Sequence, residues 1–252
     1  MIDRDWDRAI ENDGGVAAAG KIASYLSEDE LNELLASMQA SRFRKGEFVF
    51  RASDEDQNVY FLRRGRIKLY RLSEEGREII MRFCVEGELF GLIDTVRGTR
   101  RAISAEASSE SEVFVMTRER FYEYLETHGR LAIFIINMFS RRVNALGDML
   151  TRIISSDVNA RILWLIKHLA DHHGVRSGRD VEISIPLTHQ EIANMAGMTR
   201  QTVTSVLAEL RRQDVIVQDH QHMRVRYDLL ERLIGTQVPS VPAPDLDIDP
   251  RG

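Results

Sequence analysis

The sequence predicts an α+β fold: an N-terminal antiparallel barrel or jelly roll, one long helix, and a C-terminal domain of short helices with a hairpin. Between Ser41 and Met116, short apolar runs are separated by glycines at 46, 65, 76, 87, 91 and 98, a spacing typical of such barrels. From Leu131 to Ile154, apolar residues recur every three or four positions, which indicates a helix. From Leu187 to Val217, two short helical patterns flank a glycine. We therefore divide the chain into an arm (1–25), a barrel domain (26–130), a long helix (131–156), a C-terminal domain (157–236) and an acidic, proline-rich tail (237–252).

Composition limits the possible function classes. The chain has 252 residues, of which 43% are hydrophobic and 29% charged, as in globular proteins. There is no apolar run of about 18 residues and no secretory leader, so we expect a cytoplasmic protein without a membrane span. The single cysteine, Cys84, excludes an internal disulfide. Because no nucleophile–base pattern, glycine-rich phosphate loop or H-E-x-x-H segment occurs, the sequence argues against an enzyme.

The barrel domain is expected to begin with a short helix. Ser27 and Glu30 form an S-x-x-E capping box, which predicts a helix from Glu28 to Met38. The alternation of apolar and polar residues from Ile67 to Leu72 predicts a half-buried strand, followed by a hairpin turn at Glu74–Arg77. Helical spacing returns after the last strand, at Arg118–Leu125.

The long helix carries an apolar stripe close to a heptad repeat. About 24 helical residues would span about 36 Å, which is more than a small domain needs. We therefore predict that this helix pairs with its counterpart in a homodimer; burial of the helix along the barrel is the alternative. The predicted seam comprises Ile135, Met138, Phe139, Val143, Leu146, Met149, Leu150 and Ile153.

The C-terminal domain is expected to combine helices with short strands. A helix capped by Asp157 should end at about His172, and a polar loop (HHGVRSGRD) then leads to a strand at Val181–Ile185. Near the end of the domain, VIV and MRVRY flank QDHQH as a hairpin, and one or two helical turns follow at Asp228–Ile234.

The segment between that strand and the hairpin has the pattern of a helix-turn-helix. Thr188 and Glu191 form a second capping box, Gly197 suits the turn, and Thr199 caps a second helix. An αα-corner without DNA is the alternative, but the caps, the turn spacing and the exposed chemistry together favour a winged helix-turn-helix that enters a major groove. The buried face of the second helix is predicted to hold Val203, Val206, Leu207 and Leu210. Its outward positions are Thr199, Arg200, Gln201, Thr204 and Ser205.

A net charge of −5 is unusual for a DNA-binding protein, but its distribution is uneven. Residues 157–236 hold ten Lys or Arg and ten Asp or Glu, so this domain is the least acidic part of the chain. DNA binding would need a local basic patch and should depend strongly on salt. The candidate cations are Arg200, Arg211, Arg212, Arg224 and Arg226.

These stretches resemble the cyclic-AMP receptor protein / fumarate–nitrate reduction regulator family of bacterial transcription factors. The resemblance covers roughly residues 26–235 and is strongest in FRKGEFVF, VYFLRRGRIKLYR, EEGRE, EGELFG, DVNARI and LTHQEIANMAGMTRQTVTSVLAELRR. It implies a cyclic-nucleotide-binding-like barrel, which is a jelly roll of the double-stranded β-helix type. It also implies a homodimer that regulates transcription by reading a pseudo-palindromic operator in double-stranded DNA. RNA polymerase and other regulators are further candidate partners, and no membrane is expected.

The resemblance also implies roles for individual residues. Two base-reading positions depart from the best-known relatives, which have glutamate at position 201 and arginine at position 205. We therefore expect a different half-site, with an arginine reading guanine and a glutamine favouring adenine. The base-reading positions are Arg200, Gln201 and Ser205. The implied phosphate contacts are Thr188, His189, Thr199 and Thr202, to which the hairpin adds Arg224 and Arg226.

The ligand pocket implied by the resemblance is degenerate. Such barrels use a glutamate for the ribose, an arginine for the phosphate, a hydroxyl residue beside it and a polar pair that meets the purine. Only the arginine is present, so three of these four polar functions are missing and we expect neither cyclic AMP nor another cofactor. The matching residues are Gly87, Glu88, Gly91, Leu92 (ribose position), Arg101 (phosphate), Ala102 (hydroxyl), and Leu146 with Gly147 (purine).

Other sensor chemistries fit the sequence poorly. One cysteine is too few for the cluster of the oxygen-sensing branch, and the first histidine, His128, lies beyond the barrel strands, which argues against haem. His168 and His172 have metal-chelating spacing, but a polar helix end is the favoured interpretation, so no metal site is predicted. We thus favour a dimer that binds DNA without a ligand; the alternative is a regulator gated by an effector near Arg101.

Overall fold

The computed structural model describes residues 21–22, 25–155, 158–219 and 222–237. Residues 1–20 of the predicted arm, the cap residue Asp157 and residues 238–252 of the predicted tail lie outside the described residues. The barrel strands are β1 (Gln39–Phe43), β2 (Phe48–Phe50), β3 (Val59–Arg64), β4 (Arg66–Leu72), β5 (Glu78–Val85), β6 (Leu89–Phe90), β7 (Ser104–Ala107) and β8 (Ser111–Met116). They form two four-stranded sheets, in the orders β1-β8-β3-β6 and β2-β7-β4-β5, with antiparallel pairing. The predicted jelly-roll barrel is confirmed.

Strand β3 lies between two apolar layers. Because successive side chains of a strand point to opposite faces, its residues alternate between the layers. Tyr60 and Leu62 belong to the core inside the barrel, whereas Val59 and Phe61 belong to a second core that lies against the helices. Burial on both faces explains why the sequence of β3 begins with an unbroken apolar run.

Two short helices flank or interrupt the barrel strands. Helix α1 (Glu28–Ala36) begins at the predicted capping box of Ser27 and Glu30. Helix α2 (Leu92–Arg97) lies between β6 and β7 and was not predicted, since six residues are too few to show a helical period. Gly91 and Gly98 bound α2 with φ values of 81° and 64°, a left-handed conformation that glycine adopts without strain.

The long helix packs on the barrel along its first half. Helix α3 (Arg118–Thr127) is followed by α4 (Gly129–Ser155), which has 27 residues. Ile135 and Met138 are only 6% and 5% exposed, and they belong, with Phe139 packed against them, to the core between the barrel and the helices. The predicted partner-facing seam is therefore wrong for Ile135 and Met138, because the helical period does not say which of two apolar faces meets the barrel, whereas half-buried Phe139 stays a prediction.

The second half of α4 leaves apolar side chains in solvent. Val143 and Leu146 are 66% and 55% exposed, and Ile136 earlier in the helix is 62% exposed. These three residues form an outward stripe that the barrel does not cover. The side chains of the remaining seam residues lie outside the described residues: Met149, Leu150 and Ile153. No described helix is long and apolar enough to cross a membrane.

The C-terminal domain contains helices α5 (Val158–His173), α6 (His189–Ala196), α7 (Arg200–Arg212) and α8 (Tyr227–Gln237), with strands β9 (Gly174–Ser177), β10 (Asp180–Ile183), β11 (Ile216–Asp219) and β12 (His222–Arg226). The strands form one sheet in the order β11-β12-β10-β9.

The predicted hairpin of the C-terminal domain is confirmed as β11 and β12. The predicted polar loop is wrong at residues 174–177, which form β9 and pair with β10. Strand β9 lies at the edge of the sheet, and its residues do not alternate between buried and exposed, so the sequence shows no strand pattern there. Helix α8 has 11 residues, about one turn more than expected.

The barrel and the C-terminal domain share one apolar core. Ile80 and Phe83 of β5 belong to the same buried cluster as Ile192 of α6. Beside this core, Arg66 of β4 places its Nη2 3.3 Å from Oε1 of Glu191, and its guanidinium carbon lies 4.6 Å from the centre of the Phe83 ring. The first helix of the helix-turn-helix is therefore docked on the barrel.

Candidate nucleic-acid interface

Helices α6 and α7 and the turn between them form the predicted helix-turn-helix. The Glu191 N–H donates to Thr188 Oγ1 at 3.1 Å, and the Thr188 N–H donates to the Glu191 carboxylate at 2.8 Å, which confirms the capping box. Gly197 ends α6 with φ 64°, and Thr199 caps α7 by accepting the Thr202 N–H at 3.1 Å. The buried residues between the helices are Ile192, Ala193, Val203, Leu207 and Leu210.

Helix α7 presents the predicted base-reading positions to solvent. Arg200, Gln201 and Ser205 are exposed, while Val203 and Leu207 anchor the opposite side in the core. A helix that is held by one face and carries short or cationic side chains on the other can enter a major groove.

The predicted phosphate positions lie at the helix starts and on the hairpin. The hydroxyls of Thr199 and Thr202 form a hydrogen bond at 2.8 Å. The Nδ1 of His189 lies 3.0 Å from Thr204 Oγ1 on α7. Arg224 and Arg226 are exposed on β12, where they alternate with buried residues. The structure thus brings His189 to α7 and leaves both arginines of the hairpin exposed.

Arg101, the one polar residue kept from the implied ligand pocket, is held by the barrel itself. Its side chain is 0% exposed. The Nε and Nη2 donate to Asp56 Oδ2 at 2.8 and 2.6 Å, Nη1 donates to the Gly91 carbonyl at 2.7 Å, and Nη2 donates to the Asn58 carbonyl at 2.5 Å. The guanidinium carbon also lies 4.2 Å from the centre of the Phe50 ring. Its charge and most of its N–H donors are therefore satisfied within the chain.

Tyr60 closes the same arrangement from β3. Its hydroxyl donates to Asp56 Oδ2 at 2.7 Å. Burial, together with the hydrogen bond to the Asp56 carboxylate, raises the pKa of Tyr60 far above its ordinary value. Asp56 therefore accepts from a cation and a neutral phenol at once, and it occupies the side of Arg101 that an anionic ligand would need.

The other implied pocket positions carry no polar side chain toward a ligand. Leu92 is buried in the core that packs against the helices, and Ala102 is exposed. Glu88 forms an ion pair with Arg82 at 2.6 Å. Although burial alone opposes its ionisation, the Arg82 guanidinium holds the pKa of Glu88 below its usual range. Glu88 thus serves the barrel structure.

Comparisons with known proteins agree with both halves of this architecture. Residues 40–128 match the cyclic nucleotide-binding domain, and residues 160–233 match the Crp-like helix-turn-helix domain. The global nitrogen regulator of Synechocystis is 30% identical over 176 residues, which cover 69% of this chain and 78% of that protein. The chain belongs to the CRP/FNR family of transcription regulators.

A further relative and two solved structures are similar to the chain over most of its length. The CRP-like cAMP-activated global transcriptional regulator of Mycobacterium tuberculosis is 23% identical over 194 residues, covering 77% of this chain and 87% of that protein. A structure of a CooA mutant from Carboxydothermus hydrogenoformans has a TM-score of 0.70 and 16% identity, and covers 82% of this chain and 94% of its own. OCPA-complexed CprK has a TM-score of 0.63 and 23% identity, with coverage of 80% and 92%. These two structures support the CRP/FNR fold. As a CRP/FNR-family regulator, the protein binds DNA and is not an enzyme.

Sequence reasoning missed the residues that neutralise Arg101 in this CRP/FNR-family protein. Asp56 lies 45 positions away from it, in a loop that also holds Asp54 and Glu55. An acidic run directly before an apolar strand was the available signal, since a buried arginine needs a carboxylate partner. The sequence does not say which acid of the run supplies it.

Proposed function

We propose that the protein is a homodimeric, sequence-specific transcription regulator that reads an inverted repeat through α7 without cyclic AMP. The single observation that supports sequence reading most directly is the exposed row of Arg200, Gln201 and Ser205 on a helix whose other face is buried. Arginine can bind guanine and glutamine can bind adenine through paired hydrogen bonds in the major groove. The wing arginines Arg224 and Arg226 would hold the phosphates on either side. Effects on transcription would follow from contacts with RNA polymerase or other regulators at the operator.

Independence from cyclic AMP is proposed from the state of Arg101. A ligand phosphate would have to displace Asp56, which is bound to that guanidinium through two donors. The displaced carboxylate of Asp56 would then lack its cation in a barrel that is mostly apolar, and burial of an unpaired charge costs free energy. The ribose and hydroxyl positions, Leu92 and Ala102, offer no compensating hydrogen bond.

Dimerisation is proposed from the outward stripe of α4. Val143 lies seven residues after Ile136, and Leu146 three residues further, which is the a-to-a and a-to-d spacing of a coiled coil. All three are more than half exposed in a single chain. A second copy of α4 would cover them and place two reading helices on one operator.

The purified protein is expected to select a defined inverted repeat from random DNA with no ligand added. Fluorescence anisotropy on the selected duplex should then give a dissociation constant that cyclic AMP changes less than about twofold, because a ligand acts only through differential affinity. Binding of a cyclic nucleotide below about 10 µM that also tightens DNA binding would favour the alternative, an effector-gated regulator with its site near Arg101.

Arg200→Ala should cost about 1–3 kcal/mol per half-site and abolish the preference at one base pair, because it removes a paired contact to guanine. The measurement compares the selected duplex with a duplex substituted at that base pair. Arg224→Ala is the matched control: it should weaken binding to both duplexes equally, since a phosphate contact carries no sequence information. If Arg200→Ala keeps full discrimination at every position, the proposed register of α7 on DNA is wrong.

A further inference from the structure

A chain of polar contacts connects the first helix, the reading helix and the wing. The Nδ1 of His189 on α6 lies 3.0 Å from Thr204 Oγ1 on α7, and its Nε2 lies 3.4 Å from Arg211 Nη2, also on α7. The same Arg211 nitrogen donates to Gln218 Oε1 on β11 at 2.8 Å. All of these contacts lie at the protein surface, beside the exposed face of α7.

The hydrogen-bond pattern assigns the proton on His189. Thr204 Oγ1 donates its only hydrogen to the Arg200 carbonyl at 2.8 Å, so it must accept from Nδ1–H of His189. Nε2 then carries the lone pair and accepts from Arg211. A neutral imidazole satisfies both partners, whereas a protonated ring would place an N–H against the guanidinium. Position 189 therefore presents no positive charge of its own in this arrangement.

The positive charge at this corner belongs to Arg211. Its partners among the described side chains, His189 and Gln218, are both neutral. Its neighbour Arg212 differs, because Nη2 of that residue forms an ion pair with Glu209 at 2.5 Å. Among the side chains that the structure describes, the two consecutive arginines of α7 thus differ in one respect: Arg212 has a carboxylate partner, whereas the partners of Arg211 are neutral acceptors. An exposed guanidinium that is oriented but not neutralised is suited to a phosphate oxygen.

We propose that Arg211 makes a DNA phosphate contact between α7 and the wing, and that neutral His189 is the positioning residue that holds its guanidinium there. Gln218 fixes the other side of Arg211, one position along β11 from the residue paired with Arg224. This inference rests on the proposed function, and it changes the role of position 189 from phosphate ligand to support.

The salt dependence of DNA binding tests this role of Arg211. For duplex DNA, the slope of log affinity against log salt falls by about 0.9 for each phosphate that the protein no longer neutralises, so Arg211→Gln in a dimer should reduce the slope by about 1.8 and weaken binding about tenfold or more at low salt. Arg211→Lys should keep the slope because it keeps the charge. Arg212→Gln, the matched comparison, should change the slope much less than Arg211→Gln does, because Glu209 already pairs with the guanidinium that is removed. Thermal unfolding of each variant shows whether the fold is intact.

A purely structural tether predicts the opposite pattern. In that case Arg211→Lys would be as damaging as Arg211→Gln, the unfolding temperature would fall for both, and the slope would not change; this result overturns the proposal. His189→Gln keeps a neutral side chain at position 189, so it should weaken binding only a few-fold and leave the salt slope unchanged. If His189→Gln instead lowers the slope about as much as Arg211→Gln does, His189 itself is a cationic phosphate ligand and the positioning role is wrong.

Measuring each slope on the selected duplex and on a random-sequence duplex separates this inference from the proposed function. Equal affinity for both duplexes would refute sequence-specific reading while the Arg211 slope still reports the phosphate contact. An unchanged slope for Arg211→Gln on both duplexes, with specific binding intact, would refute the Arg211 contact alone.

Discussion

Replacing Asp56 with alanine is expected to lower the free energy of unfolding by about 3–5 kcal/mol, because it leaves a buried cation without its partner. Arg101 is 0% exposed and Asp56 19% exposed, so solvent does little to screen the charge that remains. Tyr60 would lose the acceptor of its hydroxyl in the same substitution. Urea unfolding followed by tryptophan fluorescence and circular dichroism measures the change.

The neighbouring acid provides the control. Glu55 pairs with Arg100, and both side chains are well exposed at 77% and 64%. Glu55→Ala should therefore change stability by less than about 0.5 kcal/mol. If Asp56→Ala is equally mild, the ion pair with Arg101 is not formed in solution. The cation would then be available to a ligand, and the argument against cyclic nucleotides would lose its main support.

This ion pair also shows the limit of what the sequence predicts about the barrel. Strand and turn patterns are local, so the jelly roll and its hairpin turn follow from spacing alone. The absence of polar residues at Leu92 and Ala102 is equally visible in the sequence. The partner of Arg101 comes from a distant loop, and only the folded chain brings the two together. The degenerate pocket was predictable, but its internal neutralisation was not.

The helix-turn-helix was predicted more completely, because caps and turns are encoded within a few residues. The Thr188 capping box, the left-handed Gly197 and the Thr199 cap all occur where the sequence placed them. The network around Arg211 escaped prediction for the opposite reason: it joins residues from α6, α7 and β11 whose contact depends on how the wing packs. Charge alone did not separate Arg211 from Arg212.

Helix α4 shows a different kind of limit. Its sequence contains two apolar stripes that lie about one residue apart, and periodicity does not rank them. The stripe with Ile135 and Met138 covers the barrel, whereas the one with Ile136 and Val143 stays exposed. The prediction of a helix was correct, but part of its partner-facing seam was assigned to the wrong face. Tertiary packing made that choice.

The exposed stripe leads to the second large effect: Leu146→Glu should convert the proposed dimer to monomers and reduce operator affinity by about 100-fold or more. A second reading helix on the same operator acts at high effective concentration, and linked sites of this kind gain about 10²–10⁴-fold over a single site. Glutamates from two parallel helices would face each other at one d position, where charge is desolvated and repelled. Sedimentation velocity reports the assembly state, and anisotropy on the selected inverted repeat reports the affinity.

Ile93→Glu tests whether any exposed apolar residue would act in the same way. Ile93 on α2 is 52% exposed, close to the 55% of Leu146, but it lies away from the long helix in sequence and on a different element. The Ile93→Glu substitution should therefore leave both the assembly state and DNA binding unchanged. On a single half-site duplex, Leu146→Glu should bind as well as the wild type binds, because the reading helix and the wing are untouched. If Leu146→Glu remains dimeric, the two chains meet through another surface; if it becomes monomeric yet keeps full affinity for the inverted repeat, the two half-sites are not read by a linked pair.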